Sequence, residues 1–217
     1  MFKNSKLIAL LILIVAMFVL VACGNNSAGE PADEAAADDA QTEAQTEETT
    51  AKGDSTAMTE KGTLVVYFSA TGTTKAVAEK IASITGADTY EIKAAQEYTD
   101  ADLDWNDKNS RTTKEQNDPS ARPEIGSDPV SLEGYSTIYI GYPIWWGEEP
   151  RIMDTFVENN DFAKATVIPF CTSGSSDIGS SDKNLADNAG SGNWLEGARF
   201  SGSFSEDELK TWIEELQ

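Results

Sequence analysis

A short stretch of small and hydroxylated residues, SATGTT at positions 69–74, separates an apolar run from a helical pattern. Backbone N–H groups at the start of a helix favour an anion, and each serine or threonine hydroxyl can donate a further hydrogen bond. A glycine within the stretch allows the backbone to approach a ligand closely. The stretch predicts a cradle for a single terminal phosphate; a helix that merely begins with serine and threonine is the alternative. The cradle residues are Ser69, Thr71, Gly72, Thr73 and Thr74.

Two further loops carry residue types that suit a ligand. The stretch YPIWWG at 142–147 places adjacent tryptophans beside a proline and a glycine, and the stretch TSGSS at 172–176 is small and polar. Flat aromatic side chains suit a flat conjugated ligand, although packing of both tryptophans into the core or an interface is the alternative. The sequence has neither the phosphate loop of nucleoside triphosphatases nor the glycine fingerprint of dinucleotide sites. A phosphate cradle beside an aromatic platform describes a site for flavin mononucleotide (FMN).

Alternating strand and helix patterns predict the scaffold that brings these loops together. Strands are predicted at residues 63–68, 88–92, 137–141, 166–170 and within 195–200, and helices at residues 74–85 and after a Ser205 cap. The first and third strands are continuous apolar runs, which is typical of parallel strands covered by helices on both faces. We therefore predict an α/β fold with a doubly wound, five-stranded parallel sheet, whose carboxyl edge carries all three loops. Pro169 has no N–H to donate and predicts a local irregularity in the fourth strand.

The composition excludes several kinds of chemistry. The 217 residues carry a formal net charge of −21 and include no histidine. Without histidine the chain cannot build a Ser-His-Asp triad, a Cys-His dyad or an imidazole metal site. A strongly acidic chain also lacks the basic face that nucleic acid requires, so we predict no nucleic-acid partner. Cys171 ends an apolar run and is predicted to be a buried structural thiol.

The first 61 residues predict export and attachment to a membrane. Lys3 and Lys6 precede an apolar run at residues 7–21, and the stretch LVACG at 20–24 resembles the cleavage box of bacterial lipoproteins. Residues 1–23 are therefore predicted to be a lipoprotein signal peptide with Cys23 as the lipidated residue. An uncleaved transmembrane anchor is the alternative, but the apolar run is short for a span. Residues 24–61 predict a disordered acidic linker, and the expected location is the extracytoplasmic face of the cell membrane.

Residues 62–217 resemble flavodoxins, and more closely the flavodoxin-like domains of bacterial lipoproteins and small exported proteins. The stretches VVYFSATGTTKAVAEKIA, IGYPIWWGEEPRIMDTF and IPFCTSGSSDIGSS carry the resemblance. It implies the strand order 2-1-3-4-5 and an FMN-binding domain. The first loop would hold the phosphate, the second would flank the isoalloxazine ring, and the third would contact its pyrimidine side. The second and third loops would then supply Pro143, Ile144, Trp145, Trp146, Gly147, Thr172, Ser173, Gly174 and Ser175.

The third loop lacks the aromatic residue that many flavodoxins stack on the outer face of the flavin. Either that face is open, or Tyr98 or Trp105 from the long polar segment at residues 94–133 covers it; a mere surface excursion is the alternative. The resemblance implies that bound flavin does the redox chemistry without a catalytic acid or base. We therefore expect an electron carrier whose partner is a redox protein or a small quinone-like acceptor. The alternatives are an FMN-dependent quinone or NAD(P)H oxidoreductase and a flavin-free binding protein of the same fold.

Overall fold

Strands and helices alternate along residues 62–216, the part of the chain that a computed structural model describes. The strands are β1 (Gly62–Phe68), β2 (Asp88–Ile92), β3 (Tyr135–Pro143), β4 (Thr166–Thr172), β5 (Asn193–Trp194) and β6 (Ala198–Phe200). The helices are α1 (Thr73–Thr85), α2 (Arg111–Gln116), α3 (Arg151–Glu158), α4 (Ser181–Ala189) and α5 (Glu206–Glu215). β3 and β4 each extend two residues further at the carboxyl end than predicted. Pro143 and Thr172 are therefore strand residues rather than loop residues.

The sheet has the predicted parallel order β2-β1-β3-β4-β5. Its fifth position is shared by two short strands, because β5 pairs with the start of β4 and β6 with its end. The short strand predicted within residues 195–200 is confirmed as β6, and β5 lies just before that range. α1 and α5 pack on one face of the sheet, and α3 and α4 pack on the other. The prediction of a doubly wound α/β fold is confirmed.

Pro169 lies inside β4 and leaves the pairing with β3 undisturbed, where it stands opposite Ile140. The predicted irregularity lies on the other side of β4, between β5 and β6. There the chain passes the proline at Gly197, where an added Cβ would lie 3.1 Å from the Cβ of Pro169. The break coincides with a residue that has no N–H to contribute to a ladder.

The two cores explain why the sequence of β1 is continuously apolar. Leu64 and Val66 belong to the core beneath α3 and α4, whereas Val65 and Tyr67 belong to the core beneath α1 and α5. All four side chains are at most 4% exposed. Full burial of such a side chain contributes about 1.5–3 kcal/mol relative to exposure. The central strands therefore give the loops at their carboxyl ends a rigid support.

Several predictions fall on residues outside the described part of the chain: the signal peptide at residues 1–23, lipidated Cys23 and the linker at residues 24–61. Within residues 62–216, no helix is both long and apolar enough to cross a membrane. Cys171 is fully buried, and its burial raises the pKa of the thiol to about 12. The prediction of a buried thiol at this position is confirmed.

Candidate functional site

The turn between β1 and α1 leaves the start of the helix without a side-chain cap. Gly72 is the N-cap, with a φ of 89° in the left-handed region that favours glycine, and no side chain accepts a hydrogen bond there. The start of α5, by contrast, is closed by a capping box from Ser205. The Ser69 hydroxyl accepts from the Gly72 N–H at 3.1 Å and shapes the turn. α3 and α4 also begin without a side-chain cap, so the start of α1 is distinguished by the polar turn at residues 69–72, beside which its free backbone N–H groups suit an anion.

A buried hydroxyl pair joins the start of α1 to the end of β4. Thr74 Oγ1 and Thr172 Oγ1 lie 2.7 Å apart, and both residues are at most 4% exposed. The Ile144 N–H donates to the Thr172 carbonyl at 3.0 Å, which brings the second loop to the same junction. The Thr74 hydroxyl is therefore engaged inside the protein, whereas Thr71 is exposed and Thr73 is half-buried. Thr71 and Thr73 carry the accessible hydroxyls at this end of the predicted cradle.

A tight turn forms the tip of the second loop. Trp145 and Glu148 exchange backbone hydrogen bonds of 2.9 and 3.0 Å, and Trp146 and Gly147 between them have φ values of 52° and 86°. Positive φ at both central positions is the pattern of a type I′ turn. For a tryptophan this conformation costs on the order of 1–3 kcal/mol, and such strain is concentrated at functional sites. Trp146 is 44% exposed at the tip of the turn.

Trp145 is placed differently from its neighbour. Its ring packs edge-on against Phe68 and Tyr98, with ring centroids 5.6 and 5.2 Å apart. Trp145 therefore fixes the second loop to the end of β1, while Trp146 presents an exposed ring. Packing against the rest of the protein thus holds for Trp145, whereas contact of the Trp146 ring with a flat ligand stays a prediction.

Arg199 holds the third loop, and sequence interpretation missed this residue. From β6, its guanidinium donates to the hydroxyl and the carbonyl of Ser173 and to the carbonyl of Gly174, each at 3.1 Å. The Ser173 hydroxyl in turn donates to the Ser176 carbonyl. Ser175 is exposed in the same loop. No motif includes Arg199; the available signal was a basic residue close to an edge strand in an acidic domain.

A cleft of about 380 Å³ opens between the first two loops and the segment at residues 94–133. Its volume falls in the range of small-molecule sites. The lining residues are Thr71, Leu103, Trp105, Thr112, Ile144, Trp145 and Trp146. The structure thus brings together parts of the first and second loops, whereas the predicted residues of the third loop do not line this cleft. Leu103 and Thr112 were missed, because nothing in the local sequence connects them with the second loop.

A larger cavity of about 850 Å³ lies at the opposite edge of the sheet. It is lined by residues 131–136 and 161–165, which lie at or before the starts of β3 and β4. Open α/β sheets bind ligands outside the carboxyl ends of their strands, not at the amino ends. This rule favours the smaller cleft as the candidate ligand site.

Comparison with known proteins identifies the family. The sequence model of the flavodoxin family matches residues 62–216. The chain belongs to the flavodoxin family. A solved protein from Bacteroides uniformis, provisionally described as a flavoprotein, is 49% identical, with coverage of 70% of this chain and 97% of its own and a TM-score of 0.67. A similarly described protein from Bacteroides eggerthii is 45% identical, with coverage of 71% and 97% and a TM-score of 0.67.

A further solved relative of this flavodoxin is a flavoprotein from Lactobacillus acidophilus in complex with FMN. It is 25% identical, with coverage of 70% of this chain and 99% of its own and a TM-score of 0.53. No match is found among the curated proteins. Each of these three solved proteins is matched over 97–99% of its own length, so the matched part of this chain corresponds to nearly a whole solved protein.

Behind the second loop, the flavodoxin buries an arginine among three carboxylates. The Arg151 guanidinium lies 2.7 Å from Glu148, 3.5 Å from Asp154 and 3.8 Å from Glu149. Glu149 and Asp154 are each 1% exposed, whereas the Glu148 side chain is 44% exposed. The shortest of the three contacts thus goes to Glu148, whose carboxylate is already stabilised by water. The buried carboxylates of Glu149 and Asp154 lie further from the guanidinium and are stabilised less by its charge.

The burial of Glu149 lets its carboxyl keep a proton near neutral pH. Burial, together with the charge of Asp154, raises the pKa of the Glu149 carboxyl from 4.5 to about 7, although Asn184 and Arg151 oppose the shift. Between pH 4.5 and 7, the Glu149 carboxyl is therefore ionised in the unfolded chain and protonated in the folded protein. Because the folded state binds more protons than the unfolded state, stability falls as the pH rises through this window.

We expect Glu149→Gln to stabilise the fold by about 2 kcal/mol more at pH 8 than at pH 5, because glutamine stays neutral where glutamate must ionise. Urea denaturation at both pH values measures the difference. Glu158→Gln is a control of opposite sign: the hydrogen bond from Arg122 lowers the pKa of Glu158. That carboxylate therefore stabilises the fold above pH 4.5, and we expect its removal to weaken the fold at both pH values. Equal effects of Glu149→Gln at pH 5 and pH 8 would contradict a proton on Glu149.

Proposed function

We propose that this flavodoxin binds FMN and carries electrons at the extracytoplasmic face of the cell membrane, where a lipid on Cys23 holds it. The observation that carries the proposal is the uncapped start of α1 at the same sheet edge as the exposed ring of Trp146. FMN in the Lactobacillus acidophilus relative supports the choice of cofactor. The cleavage box in the sequence supports the lipid anchor.

The residues present fit the two ends of FMN. At the start of α1, an added Cβ on Gly72 would meet nothing within 4 Å, so a phosphate can approach the backbone. The hydroxyls of Thr71 and Thr73 lie beside it. A flat ring fits the cleft lined by Ile144 and Trp146. The third loop offers polar groups for the pyrimidine side of the ring, as the family resemblance implies.

Bound FMN supplies the redox chemistry, and the residues of this chain bind the cofactor, orient it and limit its contact with water. Residues 62–217 include 27 acidic and 12 basic residues, a net charge of −15. Acidic surroundings disfavour a further negative charge, so they lower the reduction potential of the flavin and attract basic partners. We therefore propose a basic redox protein or a small quinone-like acceptor as the partner.

Titration of residues 62–217 with FMN, followed by flavin fluorescence and by the absorbance of retained cofactor, tests the proposal. We expect one FMN per chain. Potentiometric reduction that proceeds in two separate one-electron steps supports electron carriage. A colourless protein that leaves FMN fluorescence unchanged would contradict the proposal and favour a flavin-free binding protein.

One observation favours an FMN-dependent oxidoreductase as a second candidate. The third loop has no aromatic residue, which leaves room for a substrate beside the flavin. Rapid two-electron turnover with a quinone or NAD(P)H, without a resolvable one-electron step, would favour this candidate over the electron carrier.

The anchor is tested by mass spectrometry of the full-length chain expressed in a bacterium that processes lipoproteins. We expect the protein purified from membranes to begin at a lipid-modified Cys23. The Cys23→Ala variant should carry no lipid. A wild-type protein that retains Met1 would contradict lipidation and favour an uncleaved transmembrane anchor.

A further inference from the structure

The two exposed large apolar side chains of residues 62–216 face the same cleft. Trp105 is 73% exposed and Trp146 is 44% exposed, and both line the cleft between the second loop and the segment at 94–133. Neither ring contacts another aromatic ring in this part of the chain. Exposure of large apolar side chains is unfavourable, so two of them around one cleft mark a site for an apolar ligand.

Trp105 is presented by a hydrogen-bonded loop. Thr112 of α2 donates to the Asp102 carbonyl from its N–H at 3.2 Å and from its hydroxyl at 2.6 Å. The Thr113 hydroxyl donates to the Asp107 carbonyl at 3.0 Å. Both sides of the loop around Trp105 are thus fixed to α2, and the indole ring is exposed on this loop.

Gln116 fixes α2 to the second loop. Its side chain is 9% exposed, and its Nε2 donates to the backbone carbonyls of Trp145 and Glu149 at 3.1 and 3.2 Å. These two carbonyls flank the turn that carries Trp146. One short helix therefore sets the positions of both Trp105 and Trp146.

Tyr98, the other aromatic residue of the segment at 94–133, is already engaged. Its ring packs against Phe68 and Trp145 at 5.7 and 5.2 Å between ring centroids, and the Arg111 guanidinium lies 4.0 Å from its centroid. Its hydroxyl donates to Glu115 at 2.8 Å. The third loop has no aromatic residue. In the segment at 94–133, Trp105 is therefore the remaining aromatic side chain that can cover a flat ligand in the cleft.

We propose that Trp105 forms the second aromatic wall of the flavin site, so that the isoalloxazine ring lies between Trp105 and Trp146. The inference rests on the proposed binding of FMN. Trp105 supplies, from the connection between β2 and β3, the aromatic cover that the third loop does not provide. Contact on both faces keeps water from the ring and strengthens FMN binding.

Trp105→Ala tests the proposal with little risk to the fold, because the side chain is 73% exposed. With residues 62–217, we expect the Kd for FMN, measured by fluorescence titration, to rise about tenfold, as for the loss of one stacking contact. Trp105→Phe retains a stacking ring and should keep the Kd within about threefold of wild type. Asn106→Ala removes an exposed neighbour that does not line the cleft, and it should leave the Kd unchanged.

The indole N–H resonance of Trp105 gives a direct readout in ¹⁵N-labelled protein, where its absence from Trp105→Phe assigns it. We expect FMN to shift the resonances of Trp105 and Trp146, while those of Trp194 and Trp212, which pack in the cores, stay in place. An unmoved Trp105 resonance and an unchanged Kd in Trp105→Ala would overturn the proposal and leave FMN binding intact. A wild-type protein that does not bind FMN would overturn the proposed function and this inference with it.

Discussion

Replacement of Thr73 by glutamate is expected to weaken FMN binding strongly without weakening the fold. Thr73 is the first residue of α1 and follows the uncapped turn at Gly72. A carboxylate in the first turn of a helix interacts favourably with the helix dipole and contributes about 0.3–1 kcal/mol. The same carboxylate would lie where the phosphate is proposed to bind, and repulsion between close anions at an effective dielectric of about 20 reaches several kcal/mol. We therefore expect the Kd for FMN to rise at least about 100-fold, while the urea midpoint stays or rises.

Riboflavin, which has the same ring system without a phosphate, is the matched ligand for Thr73→Glu. Fluorescence titration should give nearly the same riboflavin affinity for the variant and the wild type, since the ring site is unchanged. Thr73→Ser keeps the hydroxyl and should bind both ligands as the wild type does. Equal weakening of FMN and riboflavin in Thr73→Glu would show that the phosphate does not lie at the start of α1.

The scaffold could be predicted because its signals are local. A strand buried on both faces must be apolar at every position, and β1 shows this directly in its sequence. α1 ends at Thr85, as predicted, and Gly86 follows it with a φ of 70°. The strand ends were less certain, because Pro143 and Thr172 resemble loop residues. They remain in the sheet because they stand opposite each other, so that β3 and β4 extend together.

The partners of individual side chains could not be predicted, because they depend on packing between distant parts of the chain. Thr74 and Thr172 are 98 positions apart, yet their hydroxyls meet. Nothing in the local pattern separates Trp145 from Trp146, since the backbone turn alone directs one ring inward and the other outward. The same holds for Gln116, whose contact with Trp145 of the second loop spans 29 positions. The sequence therefore predicts which loops form the candidate site, but not which side chains contact each other there.

Arg199→Met is expected to raise the Kd for FMN about 30-fold and to reduce the free energy of unfolding by about 2 kcal/mol. The guanidinium makes three hydrogen bonds to the third loop, through Ser173 and Gly174. Hydrogen bonds from a charged donor contribute about 1.5–3 kcal/mol each when buried, and less where water can replace the donor. Without them, the two carbonyls turn to water and the third loop loses the conformation in which we expect it to contact the cofactor. Fluorescence titration and urea denaturation measure the two effects.

Arg199→Lys separates the geometry of the side chain from its charge. Lysine keeps the charge but has no planar fork to bind the Ser173 and Gly174 carbonyls together, so the Kd should rise nearly as much as in Arg199→Met. The reduction potential of bound FMN should become more negative in the methionine variant alone, because a nearby positive charge favours the electron-rich reduced flavin. Arg122→Met removes an exposed ion pair with Glu158 and should change neither the Kd for FMN nor the reduction potential of bound FMN. Full recovery of affinity in Arg199→Lys would mean that Arg199 acts through its charge, and that its hydrogen bonds to the third loop do not determine how the cofactor is bound.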